Sequence, residues 1–115
     1  MTPKTITQMQ AVELIQNHMD QIEPFRVVFA FKRMKVKPIR TTTVLLMRAC
    51  IAIHDHGLPI TTGLVNALFG GKSSKSTGLH TLGDKKCLLL KRGDRKGHPF
   101  ALEWTIDPLF LEHYK

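Results

Sequence analysis

The hydroxyls of Ser73, Ser74, Thr77 and Thr81 and the imidazole of His80 fall within one short stretch, and each can donate and accept hydrogen bonds. Lys72 and Lys75 lie at one end of this stretch and Lys85 and Lys86 at the other. Its apolar anchors are Leu79 and Leu82. With those leucines turned inward, a helical wheel puts Ser73, Thr77, His80, Thr81 and Asp84 broadly opposite, with Ser74 and Gly78 flanking. A helix over 73–84 with that outward surface suits a polyanion better than bare water. Ser and Thr hydroxyls can pair with base edges, and a threonine methyl can meet a thymine methyl. About ten residues span roughly 15 Å, a length that fits a major groove. Gly78 in mid-helix costs about 1 kcal/mol relative to alanine, which implies a close approach, either to DNA or to a neighbouring helix.

A second group follows. Arg92, Arg95, Lys96 and His98 surround a glycine-bounded loop, Gly93–His98, between two apolar segments. At a hairpin tip such residues either protect an edge or grip phosphate, and an arginine there can enter a minor groove. The chain of 115 residues carries a net charge of +8, and the windows 32–40 and 72–98 hold thirteen of its seventeen Lys and Arg residues. That clustering favours a nucleic-acid footprint over a generally solvated surface. The role of Lys32, Arg33, Lys35, Lys37 and Arg40 stays open between a further contact and a solvated face.

Other chemistry is weaker. Gly71-Lys72-Ser73 ends like a phosphate-binding loop, but Asn66 stands where its first glycine belongs and an apolar helix precedes it. His54 and His56 do not share a helix face and lack a third ligand at metal spacing, while His80, Cys87 and His98 have blander readings as helix-face, core and loop residues. No nucleophile–base set stands out, so no enzyme, metal or cofactor is expected. Cys50 and Cys87 sit in apolar contexts and read as reduced core thiols.

The elements that must carry these residues can be read in order. Thr5–Ile22 has apolar residues at helical spacing (Ile6, Met9, Val12, Ile15, Met19, Ile22), with Thr5 or Thr7 as caps. That stripe can pack on its own domain or on a twofold-related copy. Phe25–Val36 leans to helix through Val27, Phe31 and Met34, against a β-rich composition, and Pro38 closes it. Thr41–His56 is apolar around most of its circumference and reads as a buried central helix, capped by one of Thr41–Thr43 and stopped by Gly57. Leu58-Pro-Ile60 is a turn or brief strand, Thr61 or Thr62 caps a short helix over Gly63–Phe69, and Gly70-Gly71 is a turn. Ser73 or Ser74 caps the polar helix. Cys87–Arg92 and Phe100–Ile106 read as strands, the second with clean alternation, and Asp107-Pro108 starts a short final helix. Residues 1–24 are polar and amphipathic, so no signal peptide is expected, and the longest apolar run, Val44–Ile53, is too short to span a bilayer.

This ordered set over about residues 41–106 resembles the winged helix-turn-helix family: Ala49–Gly57, Leu58–Thr62, Leu64 and Leu68, Ser73–Leu82, Leu88–Arg92, Gly93–His98 and Phe100–Ile106. Cys87 departs from it, standing where many members have glycine at the turn into the first wing strand. The resemblance implies an α+β, mainly helical fold. Residues 1–40 would add a helical extension with a possible dimerisation role, 41–106 would form the winged helix-turn-helix, and 107–115 a short C-terminal helix. It also implies double-stranded DNA as partner, with Lys72, Ser73, Ser74, Lys75, Thr77, Gly78, His80 and Thr81 on the recognition helix and Arg92, Arg95, Lys96 and His98 on the wing. A cytoplasmic, nucleoid-associated homodimeric transcriptional regulator, such as a repressor, is the expected role. A replication-origin or plasmid-partition DNA-binding protein needs the same contacts, and a protein-interaction module is a third reading. No membrane partner is expected, and no small-molecule ligand can be inferred from sequence.

Overall fold

The computed structural model describes residues 8–37, 39–71, 75–92 and 102–114. Helices dominate: α1 (Gln8–Gln21), α2 (Pro24–Arg33), α3 (Thr41–Asp55), α4 (Thr62–Leu68), α5 (Ser76–Asp84) and α6 (Pro108–Tyr114). Between them run β1 (Ile60–Thr61), β2 (Leu88–Arg92) and β3 (Leu102–Ile106). The strands form one antiparallel sheet in the order β1-β3-β2, with Ile60 opposite Trp104 and Leu88 opposite Ile106. The fold is therefore α+β and mainly helical. No helix among the described residues is long and apolar enough to cross a membrane.

The core is one continuous cluster with α3 at its centre. Val44, Leu46, Met47, Ala49, Cys50, Ile51, Ala52 and Ile53 are buried, as a helix apolar nearly all round must be. On one side α1 delivers Ala11, Ile15 and Met19, and Ile22 follows directly after it. This stripe is covered by α3 and α4, so α1 packs on its own chain. Gln16 Nε2 donates to the Leu68 carbonyl at 3.1 Å, and His18 Nε2 lies 3.0 Å from Asp55 Oδ2. The ambiguous segment after Pro24 is helical. Val27, Ala30 and Phe31 recur at i, i+3 and i+4 and are buried, and Phe31 meets Phe110 of α6 at 5.9 Å between ring centroids. Propensity for strand loses here because the helical stripe has a partner helix to bury it.

Helix ends follow local chemistry, with two corrections. Thr61 Oγ1 accepts from Leu64 N at 3.2 Å at the start of α4, and Asp107 Oδ1 accepts from Leu109 N at 2.9 Å at the start of α6. The residue capping α3, however, is Arg40, without a side-chain cap bond, rather than one of Thr41–Thr43. Likewise α5 begins at Ser76 with Lys75 in the cap position, so the helix is shorter than the expected 73–84. Its start is held from outside: the Lys75 N–H donates to Asn66 Oδ1 of α4 at 2.7 Å.

At the other ends, Gly57 stops α3 with φ +70°, as its type suggests. Two lysines take the same left-handed conformation, Lys35 after α2 (φ 60°) and Lys86 after α5 (φ 64°). Around Lys86 the bonds run from its N–H to Gly83 O and from Cys87 N to Leu82 O, which closes the helix and turns the chain into β2. The positive φ at this turn falls on Lys86, and Cys87 is free to be a buried core residue.

Candidate nucleic-acid interface

Two leucines and two glycines set the position of α5. Leu79 and Leu82 are fully buried, between α3 and the sheet. Gly78 faces α3: a Cβ there would stand 2.6 Å from Leu46 Cδ2. Gly83 faces the sheet, where a Cβ would stand 3.1 Å from Trp104 Cζ3. Each glycine lets the helix approach its neighbour more closely than a side chain permits. Of the two explanations open for Gly78, the neighbouring helix accounts for it. Its role is spacing against α3, and no nucleic acid is needed to explain it.

With both flanks packed, Thr77, His80 and Asp84 are exposed and Thr81 is half-buried. The Thr81 hydroxyl donates to the Thr77 carbonyl at 2.9 Å, a bond back along the helix that leaves its oxygen able to accept. His80 sets its ring edge-on to Trp104, with centroids 5.0 Å apart and an interplanar angle of 83°. Trp104 is buried, and its Nε1–H has no hydrogen-bond partner among the described residues. The polar face of α5 thus combines an exposed threonine, an imidazole packed edge-on to Trp104, and an acid.

On the α3 side of α5 the surface opens into a cleft of about 540 Å³. Leu45, Leu46, Phe69 and Gly78 supply its apolar lining, and Thr42, Thr43, Thr77 and Thr81 its hydroxyls. Arg40, Lys75 and Lys85 are the charged residues in the lining, and there is no carboxylate among them. Lys75 Nζ lies 5.3 Å from the centroid of the Phe69 ring, a cation–π contact. Lys85 Nζ donates to the Lys37 carbonyl at 3.0 Å. The end of the first basic window is therefore brought against the end of α5.

Of the residues expected to contact DNA, the fold brings Lys75, Thr77, Gly78, His80 and Thr81 together on α5 and its cap. Arg92 closes β2 opposite Leu102. Lys72, Ser73, Ser74, Arg95, Lys96 and His98 lie outside the described residues. Sequence reasoning missed the grouping of Arg40, Thr42, Thr43, Phe69 and Lys85 around α5. The one signal was charge in 32–40, which carries no information about the partner element.

Burial pushes both thiols up to about 12: Cys50 with a further upward push from Cys87, and Cys87 with Lys85 pulling down and Asp107 pushing up. Both are therefore protonated near neutral pH. Among the described residues, no group of three or more His, Cys, Asp or Glu is placed to hold a metal ion. No family model, curated protein or solved structure matches the chain.

Proposed function

We propose that this chain is a double-stranded DNA-binding protein of winged helix-turn-helix type, with α4 and α5 as the helix-turn-helix and β2–β3 as the base of the wing. The observation that carries this reading is the convergence of two separate basic windows on one polar helix: Arg40 shares a cleft with Thr77 and Thr81, and Lys85 bonds the Lys37 backbone. The element order supports it as well, helix–strand–helix–turn–helix followed by two antiparallel strands. Arg40, Lys75 and Lys85 would meet phosphate, and Thr77 and His80 would face base edges. Asp84 beside them disfavours a phosphate and restricts how deeply the C-terminal end of α5 can enter a groove. Direct readout is therefore modest, and DNA shape and dimer spacing carry much of the specificity.

A regulator reading a palindrome would be a twofold dimer with half-sites about one helical turn apart. The α1 stripe is already covered, so the second copy would join elsewhere. Exposed large apolar residues available for that contact are Phe25 and Phe29 of α2, Leu109 of α6, Leu14 of α1, and Leu89 and Leu90 of β2.

Fluorescence anisotropy with duplex DNA across a salt series tests the reading. Arg40→Gln and Lys85→Gln should each weaken binding to all sequences and reduce the salt slope by about 1, while Lys32→Gln should do neither. Selection of preferred duplexes from a random pool then separates reading from gripping. Thr77→Ala and His80→Ala should change the preferred bases, and uniform weakening would reduce α5 to a backbone contact. Salt-independent binding that ignores Arg40 and Lys85 would remove the proposal.

A further inference from the structure

We infer that the cleft between α3 and α5 is a binding site for a small monocarboxylate with an apolar body, such as an aromatic acid. The site stands whether or not the chain binds DNA. Its volume of about 540 Å³ falls within the usual range for small-molecule sites. Its lining is divided in the way such a ligand requires. Leu45, Leu46 and Phe69 offer apolar contact that a fully hydrated anion would leave unused, whereas Arg40, Lys75 and Lys85 supply positive charge, and no carboxylate stands among the described residues of the lining.

Four threonines add donors and acceptors between these two zones. Thr81 already spends its proton on the Thr77 carbonyl and meets a ligand as an acceptor, so donors to a carboxylate come from Thr42, Thr43, Thr77 and the cations. The first turn of α3 forms part of the wall, and its cap residue Arg40 makes no side-chain bond to it, so the positive end of that helix dipole adds to the same field. A neutral apolar molecule would use only the hydrophobic part of this surface, and a phosphate only the cationic part. An arginine fork is suited to a carboxylate in a bidentate pair.

Gly78 forms part of the cleft wall. Without a side chain there, α5 lies close to Leu46 while the space beyond remains open towards Thr42 and Phe69. The occupant would touch Thr77, Thr81 and Lys85, residues of the same helix that is proposed to face DNA. Ligand and DNA phosphate would then compete for Arg40 and Lys85.

The test titrates 2-naphthoate into the DNA-free, isotopically labelled protein and follows backbone amide NMR shifts, with neutral 2-naphthamide as the matched control. The expected result is saturable one-to-one binding, with shifts concentrated at Thr42, Thr43, Phe69, Thr77, Gly78 and Thr81. The amide should bind about tenfold more weakly, and so should Arg40→Gln and Lys85→Gln with the carboxylate, while Lys32→Gln binds as the parent does. Circular dichroism confirms that the variants are folded. Absence of saturable shifts up to about 5 mM overturns the inference, as do equal affinities for acid and amide. Shifts spread over the basic surface generally, or unchanged binding in both charge variants, also overturn it. DNA binding is measured separately, so failure here leaves that reading untouched and failure there leaves this one.

Discussion

The two flanks of α5 meet their neighbours in the same way and end differently. On each side a glycine admits the approach, Gly78 to Leu46 of α3 and Gly83 to Trp104 of β3. Beyond Gly83 the contact is closed. The Trp104 ring is buried, His80 covers it edge-on, and Cys87 and Leu88 complete the packing at the turn into β2. Beyond Gly78 the contact opens into a cleft with threonines and cations. The difference teaches that close helix packing leaves two kinds of residue behind. Where the neighbour is a broad aromatic ring, the space is filled and the helix is anchored. Where it is the tip of a leucine, the space remains and can be used for a ligand.

The closed flank should carry most of the anchoring. Trp104→Ala removes the ring that spans Gly83, His80 and the sheet, and should destabilise the protein by about 3–5 kcal/mol in urea unfolding. A cost near 1 kcal/mol would mean that this flank is no better packed than the open one. Alkaline titration probes the same closure. Both thiols lie at about 12 in the folded chain against an ordinary value of 9.0. Their protonated state is thus favoured by folding. Their stabilising contribution is complete below pH 9.0 and declines as pH rises towards about 12, because the unfolded chain ionises first. Iodoacetamide at pH 8 should therefore label Cys50 and Cys87 only on unfolding; rapid labelling of Cys87 would show that the sheet side opens.

Alanine at the two glycines should separate the flanks directly. Gly83→Ala presses a methyl against a rigid buried ring, and should cost about 1 kcal/mol net after the gain in helix propensity. Gly78→Ala meets only the end of a leucine side chain that borders open space, so rotation of Leu46 offsets the propensity gain to within about 0.5 kcal/mol. Equal costs would erase the distinction. The smallest effect concerns the end of α5 rather than its sides. Lys86→Gly relieves the left-handed strain at φ 64° and should raise stability by about 0.5–1 kcal/mol, after loss of the favourable charge at the helix C-terminus. Thermal unfolding reads this as a small rise in Tm.

Much of this architecture is legible from local pattern. The all-round apolar α3, the brief strand at Ile60, the Thr61 and Asp107 caps, the Gly57 stop and the alternating β3 each follow from a rule that acts within a few residues. The misreadings also have local causes. By residue type Ser73 or Ser74 suits the cap of α5, but the helix begins at Ser76, with Lys75 in the cap position and its N–H satisfied by Asn66 of α4. Thr41–Thr43 looked like caps for α3, but Arg40 holds that position and Thr42 and Thr43 turn to the cleft.

The sequence by itself determined which residues are apolar at helical or alternating spacing, and so which segments become helix or strand, because those periods express geometry within one segment. It also determined that positive charge gathers in two windows. Only the tertiary structure decided that these windows meet, that Gly78 answers to Leu46, and that Arg40 and Lys85 share a cleft with Phe69. These are relations between surfaces of different elements. They depend on how far α5 slides and turns against α3, and that is set by the volumes of the side chains packed between them.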